Sequence, residues 1–401
     1  MVIVGGGLVG ASLAIALDRI GVDVALVESA PMGALPAAAA PSVFDERNLS
    51  FADTTVNGLT ALGVLQKLRT PGAPIRRIHV SRSGDFGRVK LDADAYGRDA
   101  FGQVVVARDF GEALEMRLAE LTHLTRYRPT RFVGLIDREG DARLVRIVDD
   151  SGERTLSTSL LIAADGTRSG VRQALGIAAD EHDYAQTLFV ARVRAERAPD
   201  GTAYERFGDD GPTALLPRSD RHYGVVHGVA SEMADAVAAL DEAAFLARLQ
   251  HAFGWRVGRF LSVGTRSMYP AIRVRAGAIT AARAVLVGNA AQTLHPIGAQ
   301  GFNLGLRDAL TLAELIEGQE DPGADLLLAA YAQRRREDRE RTLAFSDGLA
   351  RLTANPTPLL RPLRSLGLLA LQGLPSAQAS LVGGAMGYRG DVPQLCRGGR
   401  E

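Results

Sequence analysis

Val2-Ile3-Val4-Gly5-Gly6-Gly7-Leu8-Val9-Gly10 opens the chain and decides how its first part must fold. Three β-branched apolar residues in a row read as a short strand buried on both faces, running directly into a glycine turn. The stretch 11–21 that follows is apolar and free of proline, so it reads as a helix, and a second largely apolar run over 22–27 ends on Glu28. Strand, glycine turn, helix, strand and acid, in that order, form a dinucleotide-binding unit. Gly5 permits the tight turn, Gly7 lets a pyrophosphate approach the backbone, and Gly10 lets the helix pack close to the sheet. The helix start offers unpaired amides and the positive end of its dipole to the phosphates. Glu28 follows Gly10 by eighteen residues, near the distance at which an acid meets the adenosine ribose.

Further along, Leu160-Leu161-Ile162-Ala163-Ala164 is another buried-strand run, ending in Asp165-Gly166-Thr167-Arg168-Ser169 with Arg172 just beyond. A third such run, 284–287, leads into Gly288-Asn289-Ala290-Ala291-Gln292-Thr293-Leu294-His295-Pro296. Then Ile297-Gly298-Ala299-Gln300-Gly301-Phe302-Asn303 opens a helix expected over 304–317. The ordered set resembles the flavoprotein aromatic hydroxylases, whose members hold FAD with an N-terminal GxGxxG, a central Asp-Gly and a late Gly-Asp motif. The resemblance covers nearly the whole chain. It implies FAD contacts at Gly5, Gly7, Gly10, Glu28, Asp165, Gly166, Gly288, Asn289, Pro296, Gly301, Phe302 and Asn303, and at Arg47 and Arg108. It also implies that Pro296, His295 and Gln300 lie at the reacting end of the flavin, where His295 either handles a phenolic proton or bonds locally. One departure is Asn289, where much of the family has aspartate: an amide still accepts a hydroxyl hydrogen bond but brings no charge.

A narrower similarity is carried by Phe44-Asp45-Glu46-Arg47, Glu205-Arg206-Phe207, Gly211-Pro212 with Leu215-Leu216-Pro217, Phe253-Gly254-Trp255-Arg256, the 288–296 run, and Gln333-Arg334-Arg335-Arg336 with Asp338-Arg339. These look like the hydroxylases of ubiquinone biosynthesis, most of all those acting on 2-polyprenyl-6-methoxyphenol. That subgroup commonly has Ala-Gly after His-Pro-Ile, whereas this chain has Gly298-Ala299, as the hydroxybenzoate enzymes do. In the resembled chemistry NADH or NADPH reduces the flavin, dioxygen adds at its C4a atom, and a hydroxyl is delivered to an electron-rich ring. Two other classes stay open: a non-oxygenating flavoprotein reductase and a flavin-binding regulatory protein without turnover.

The expected fold is α/β: a doubly wound, glutathione-reductase-like FAD-binding domain, a mainly antiparallel β substrate domain and C-terminal helices. The divisions fall at 1–184 and 271–330 for the FAD-binding parts, 185–270 for the substrate sheet and 331–401 for the helical region. Runs 187–193, 214–216 and 223–229 read as strands of that sheet, and the charged run 333–341 reads as a solvated helix face.

Among 401 residues Lys+Arg and Asp+Glu both number 46, so no basic excess marks a nucleic-acid binder. The single cysteine, Cys396, excludes a disulfide framework, and the six histidines other than His295 show no metal-ligand spacing, so no metal is expected. With no leader-like segment ahead of the first strand and no uncharged run of roughly 18 residues, a cytoplasmic protein is expected, with a polyprenyl phenol and dioxygen as partners in turnover. Leu359, Leu360, Leu363, Leu366, Leu369, Leu371 and Leu374 recur at mostly helical spacing with Arg361 and Arg364 between them. That stretch either covers the FAD domain or contacts a membrane surface or a partner protein of the same pathway.

Overall fold

The computed structural model describes residues 1–31, 47–354, 365–367 and 372–398. The 44–46 part of the first narrow motif and most of the leucine-rich stretch lie outside the described residues.

Three distant pieces of chain make one six-stranded sheet. Val2–Val4 lies between Val24–Val27 and Leu161–Ala163, all parallel, with Leu124–Tyr127 beyond the first and Ala284–Leu286 beyond the second. Thr280–Ala281 closes that edge antiparallel. The three runs that begin the glycine-bearing motifs are thus neighbouring strands, and their motifs emerge at one end of the sheet. Strands of three residues suffice because each is buried completely, and burial rather than length holds them. Helix Leu8–Asp18 is buried from Gly10 to Leu17 because it packs on the sheet and on helix Gln300–Ile316.

A second sheet has nine strands. Its path runs Gln292–Thr293, Ser267–Ala276, Ala179–Ala195, Tyr223–Ala230, Pro212–Pro217, Thr202–Phe207, Arg77–Arg82 and Arg88–Asp92, with Phe260–Val263 beside Ala179–Ala195. Every pairing is antiparallel except Thr202–Phe207 with Arg77–Arg82. The sheet therefore takes in more chain than 185–270: two strands come from before residue 100, and its longest strand starts at Ala179. A short three-stranded sheet, Ala73–Pro74, Gly102–Val106 and Asn48–Ala52, connects the two bodies.

Beyond 321 the described chain forms helices Asp325–Ala354 and Pro375–Ala385, and of the charged run 333–341 the residues Gln333, Arg336, Glu337, Glu340 and Arg341 are exposed as expected, whereas one stripe is not. Arg335 and Asp338 are completely buried and Arg339 nearly so. Among the described residues no helix is long and apolar enough to cross a membrane. Leu366 and Leu374 are exposed.

Candidate active site

The first glycine turn is fixed by steric limits that can be stated atom by atom. Gly5 has φ +104°, and a Cβ there would lie 2.4 Å from the Ala164 carbonyl oxygen. A Cβ on Gly10 would lie 1.9 Å from the Gly5 oxygen, so the helix cannot approach the turn with any side chain at this position. Gly7 is different in kind, because a Cβ there meets nothing within 4 Å. Its bareness serves no contact inside the protein; it leaves space above a helix start that no side chain caps. That is what a pyrophosphate needs. Glu28, at the end of the second strand, accepts from Gly6 N at 2.7 Å and from Ala30 N at 2.7 Å, which holds its carboxylate at the mouth of the turn.

The second and third motifs are tied to each other. Ser169 Oγ and Val171 N donate to Asp165, whose carboxyl burial shifts upward. Arg172, buried, donates to Thr167 O at 3.0 Å and across to Ala290 O at 2.9 Å, and Thr167 and Thr293 share a hydroxyl bond of 2.9 Å. Gly288 turns at φ +58° against Val9, while Asn289 beside it is exposed and free to meet a ligand. Arg47 lies over the Tyr269 ring at 5.2 Å, its carbonyl accepting from Ala107 N. Arg108 stands at the start of helix Ala107–Leu118, half-buried beside Asp109.

In the loop 295–303 most side chains have partners within the protein. His295 is buried, which lowers its pKa to about 4, and both ring nitrogens are used: Nδ1 accepts from Ile297 N, and Nε2 faces Gln186 Oε1 at 3.3 Å. With its ring also against Tyr184, it bonds locally and shapes the loop. Gln300 is buried, and its amide donates to Gly298 O and to Ala385 O, so it joins the loop to the C-terminal helix Pro375–Ala385. The Asn303 side chain is likewise committed, accepting from Ala52 N at 2.9 Å and donating to Ser50 O and Ala299 O. Phe302 turns inward onto Phe51 and Phe110, with ring centroids 5.3 and 5.2 Å away. Open toward a ligand are Pro296, which is exposed, and the first-turn backbone beginning at Gly301, where a Cβ would meet nothing within 4 Å. The turn into the helix uses left-handed backbone at both Gly298 (φ +75°) and Ala299 (φ +51°).

Behind this loop lies a buried ion network that sequence reasoning missed. Asp308 accepts from Gly288 N at 3.2 Å and Gln292 Nε2 at 2.7 Å through one oxygen, and from Arg335 Nε at 2.7 Å through the other. Arg335 and Arg307 then share Asp338, and Arg339 donates to Gln292 Oε1 and Ala276 O. The late motif is held from behind by helix Asp325–Ala354.

Opposite the loop stands one face of the nine-stranded sheet. Register places Val89, Val80, Glu205, Ala214, Val226 and Val190 in one row across six strands. Two residues along from Glu205, on the same face, Phe207 packs with Ile297 of the flavin loop, and Tyr269 of this face lies under Arg47. Glu205 is thus a lone carboxyl in an apolar row facing the loop. It makes no hydrogen bond or ion pair among the described residues, and burial pushes it up to about 7.

Residues 1–346 match the family model described as FAD binding domain, and the chain belongs to that family. It is an FAD-dependent monooxygenase. It is 34% identical over 99% of its length to the ubiquinone hydroxylase UbiL of Rhodospirillum rubrum, covering 92% of that protein. It is 28% identical to the 3-demethoxyubiquinol 3-hydroxylase of Escherichia coli, over 92% of this chain and 94% of that one. Its fold is that of p-nitrophenol 4-monooxygenase PnpA from Pseudomonas putida, with TM-score 0.76 and 19% identity, covering 100% and 98% of the two chains.

Proposed function

We propose that this chain hydroxylates the ring of a polyprenyl phenol in ubiquinone biosynthesis, with NADH or NADPH as donor and dioxygen as oxygen source. Its narrow motifs favour 2-polyprenyl-6-methoxyphenol as the substrate, and the likeness to UbiL over almost the full length supports the broader class. The observation that carries the reading is the apolar sheet row, with its single carboxyl, set opposite the flavin loop. Gly7 and the first turn of helix Leu8–Asp18 would hold the FAD pyrophosphate, Glu28 the ribose, and Asn289, Arg47 and Arg108 the remaining polar edges. Bound FAD supplies electron transfer from the nicotinamide and activation of dioxygen.

The chain's own residues do the positioning. Amides at the start of helix Gln300–Ile316 present its positive end to developing charge. The valine row excludes water and aligns a flat ring. Glu205 takes the proton of the ring hydroxyl: the O–H bond breaks, the carboxylate is protonated, and the ring oxygen keeps the electron pair that activates the ring toward an electrophilic oxygen. A carboxyl near 7 is matched to such a proton at neutral pH.

Oxygen uptake and NADH oxidation by the holoprotein, with and without a short-tailed methoxyphenol, test the assignment. The expected result is phenol-stimulated consumption of both and a product carrying one added oxygen. NADH oxidation coupled to reduction of the organic substrate without oxygen uptake would establish the reductase reading instead.

A further inference from the structure

On the other side of the same sheet four cations converge, and among the described residues no acid is paired with any of them, although Asp92 stands on the same face two residues from Lys90. Register puts Lys90 opposite His79 and His79 opposite Tyr204; one step along, Arg88 is opposite Ser81 and Ser81 opposite Arg206. These side chains share the face away from Glu205, because successive residues of a strand alternate. Tyr204 packs edge-on to His79 at 5.8 Å and to Phe253 at 5.6 Å, which fixes the end of helix Glu242–Phe253 here and brings Trp255 and Arg256 alongside.

Among the described residues the guanidinium groups of Arg206 and Arg256 donate to the Ala252 and Phe253 carbonyls alone, at 3.0 and 3.4 Å. Among the described residues no ion pair includes Arg88, Lys90, Arg206 or Arg256. Of the acids nearby, Asp209 pairs with Arg82, Asp200 with Arg77, and Asp92 accepts from Asp94 N at 3.2 Å. His79 Nε2 is buried and unpartnered, and burial together with the four surrounding cations drives its pKa to about 4. Like charge gathered this way raises the energy of the free protein and is relieved by an anionic partner.

Two exposed rings flank the cations: Trp255, the only tryptophan in the chain, is 66% exposed, and Phe86, in the turn between Arg77–Arg82 and Arg88–Asp92, is 67% exposed. The edge strand itself is tied to the C-terminal segment, Lys90 N donating to Gln372 Oε1 at 2.7 Å, and Leu374 is exposed two residues on. Cations bordered by outward rings and an apolar side chain match the headgroup level of a bilayer, where indole rings and basic side chains collect. A nucleotide would call for a recess, and an acidic protein would not call for the bare rings. We infer that Arg88, Lys90, Arg206 and Arg256, flanked by Trp255 and Phe86, seat the protein on an anionic lipid surface. The role of the surface, access to a tail-bearing phenol, rests on the proposed function; the binding itself does not.

Holoprotein is sedimented with phosphatidylcholine vesicles that contain or lack phosphatidylglycerol, beside the double variant Arg88→Gln/Lys90→Gln and the single variant Phe86→Ser. Binding should need phosphatidylglycerol and weaken with salt. It should fall on the order of 30-fold in the double variant, from about fivefold per basic side chain at a membrane surface. Trp255 emission should shift to the blue on binding and be quenched by brominated acyl chains. Both cations are exposed on an edge strand, so an unchanged melting temperature is expected; should the double variant unfold, loss of binding in Phe86→Ser carries the same test. Equal binding to neutral vesicles, full binding by the variants, or sedimentation with Trp255 emission unmoved overturns the inference. So does a Trp255 shift produced equally by inorganic phosphate alone. Vesicle binding without phenol turnover would instead overturn only the substrate assignment.

Discussion

Replacing Asp338 with asparagine removes the carboxylate that two buried guanidinium groups share. Arg307 donates to it twice, at 2.7 and 3.0 Å, Arg335 once at 2.8 Å, and Thr342 Oγ1 at 3.2 Å, and both ion pairs are essentially solvent-free. Burial alone would raise the Asp338 carboxyl, but the two arginines outweigh it and hold the group at about 2 instead of 3.8. That difference corresponds to about 2 kcal/mol. Its folded value lies below the unfolded one, so this stabilisation is present above about pH 4 and is lost as pH falls toward 2. Asparagine keeps the shape but leaves Arg307 without its carboxylate, and breaking a buried pair costs about 3–5 kcal/mol out of a typical 5–15. The neighbouring Glu337→Gln is the control: its pair with Arg341 is more than half exposed at both ends and should cost well under about 1 kcal/mol. Urea unfolding followed by circular dichroism and by flavin release gives both numbers, and flavin should leave first from Asp338→Asn because the network steadies Gly288 through Asp308. Equal urea midpoints for the two variants would refute the claim that Arg335, Asp338 and Arg339 form a buried clamp within this charged run.

Gly7→Ala should fold and melt like the parent yet retain FAD poorly, since its Cβ meets only the space reserved for phosphate, whereas Gly10→Ala should damage folding itself; identical flavin content in Gly7→Ala and parent would unseat the pyrophosphate assignment. Ala299→Gly should gain about 0.5–1 kcal/mol by relieving left-handed backbone at a residue with a Cβ, and Gly298→Ala should lose about 1 kcal/mol or more; thermal melts showing the same sign for both would contradict the turn geometry. Glu205 binds its proton more tightly folded than unfolded, so it favours the folded state below its unfolded value of about 4.5, an advantage lost as pH rises to about 7. Glu205→Gln should therefore stabilise the protein by about 2–3 kcal/mol at pH 8, while lowering kcat and flattening the activity limb near neutrality with FAD content unchanged; an unaltered pH–rate profile would remove it from the proton path.

What the sequence makes legible is local. Gly5, Gly7 and Gly10 answer to the backbone within one turn, and the three apolar runs announce buried strands, so the nucleotide fold can be read residue by residue. The clamp could not be read this way, because Asp308 and Arg335 are far apart in the chain and a dense charged run looks solvated whichever way it faces. A signal was present: Arg335, Asp338, Arg339, Thr342 and Ser346 fall at helical spacing, and the smaller hydroxyl residues continue the stripe that is buried. The reach of the substrate sheet back to Arg77–Arg82 and Arg88–Asp92 is a pairing between distant segments, which no periodicity encodes. Glu205-Arg206-Phe207 shows the limit and the remedy together. As a run it marks a resemblance and assigns no task to any member. Once the strand's pairing is known, alternation turns Glu205 and Phe207 toward the flavin loop and Arg206 toward the cationic patch. One signature then serves two surfaces, a ring site on one side of the sheet and a charged seat on the other. A substitution at Glu205 should change the chemistry without changing vesicle binding, and one at Arg88 or Lys90 the reverse; the sheet between them is what keeps the two effects separable.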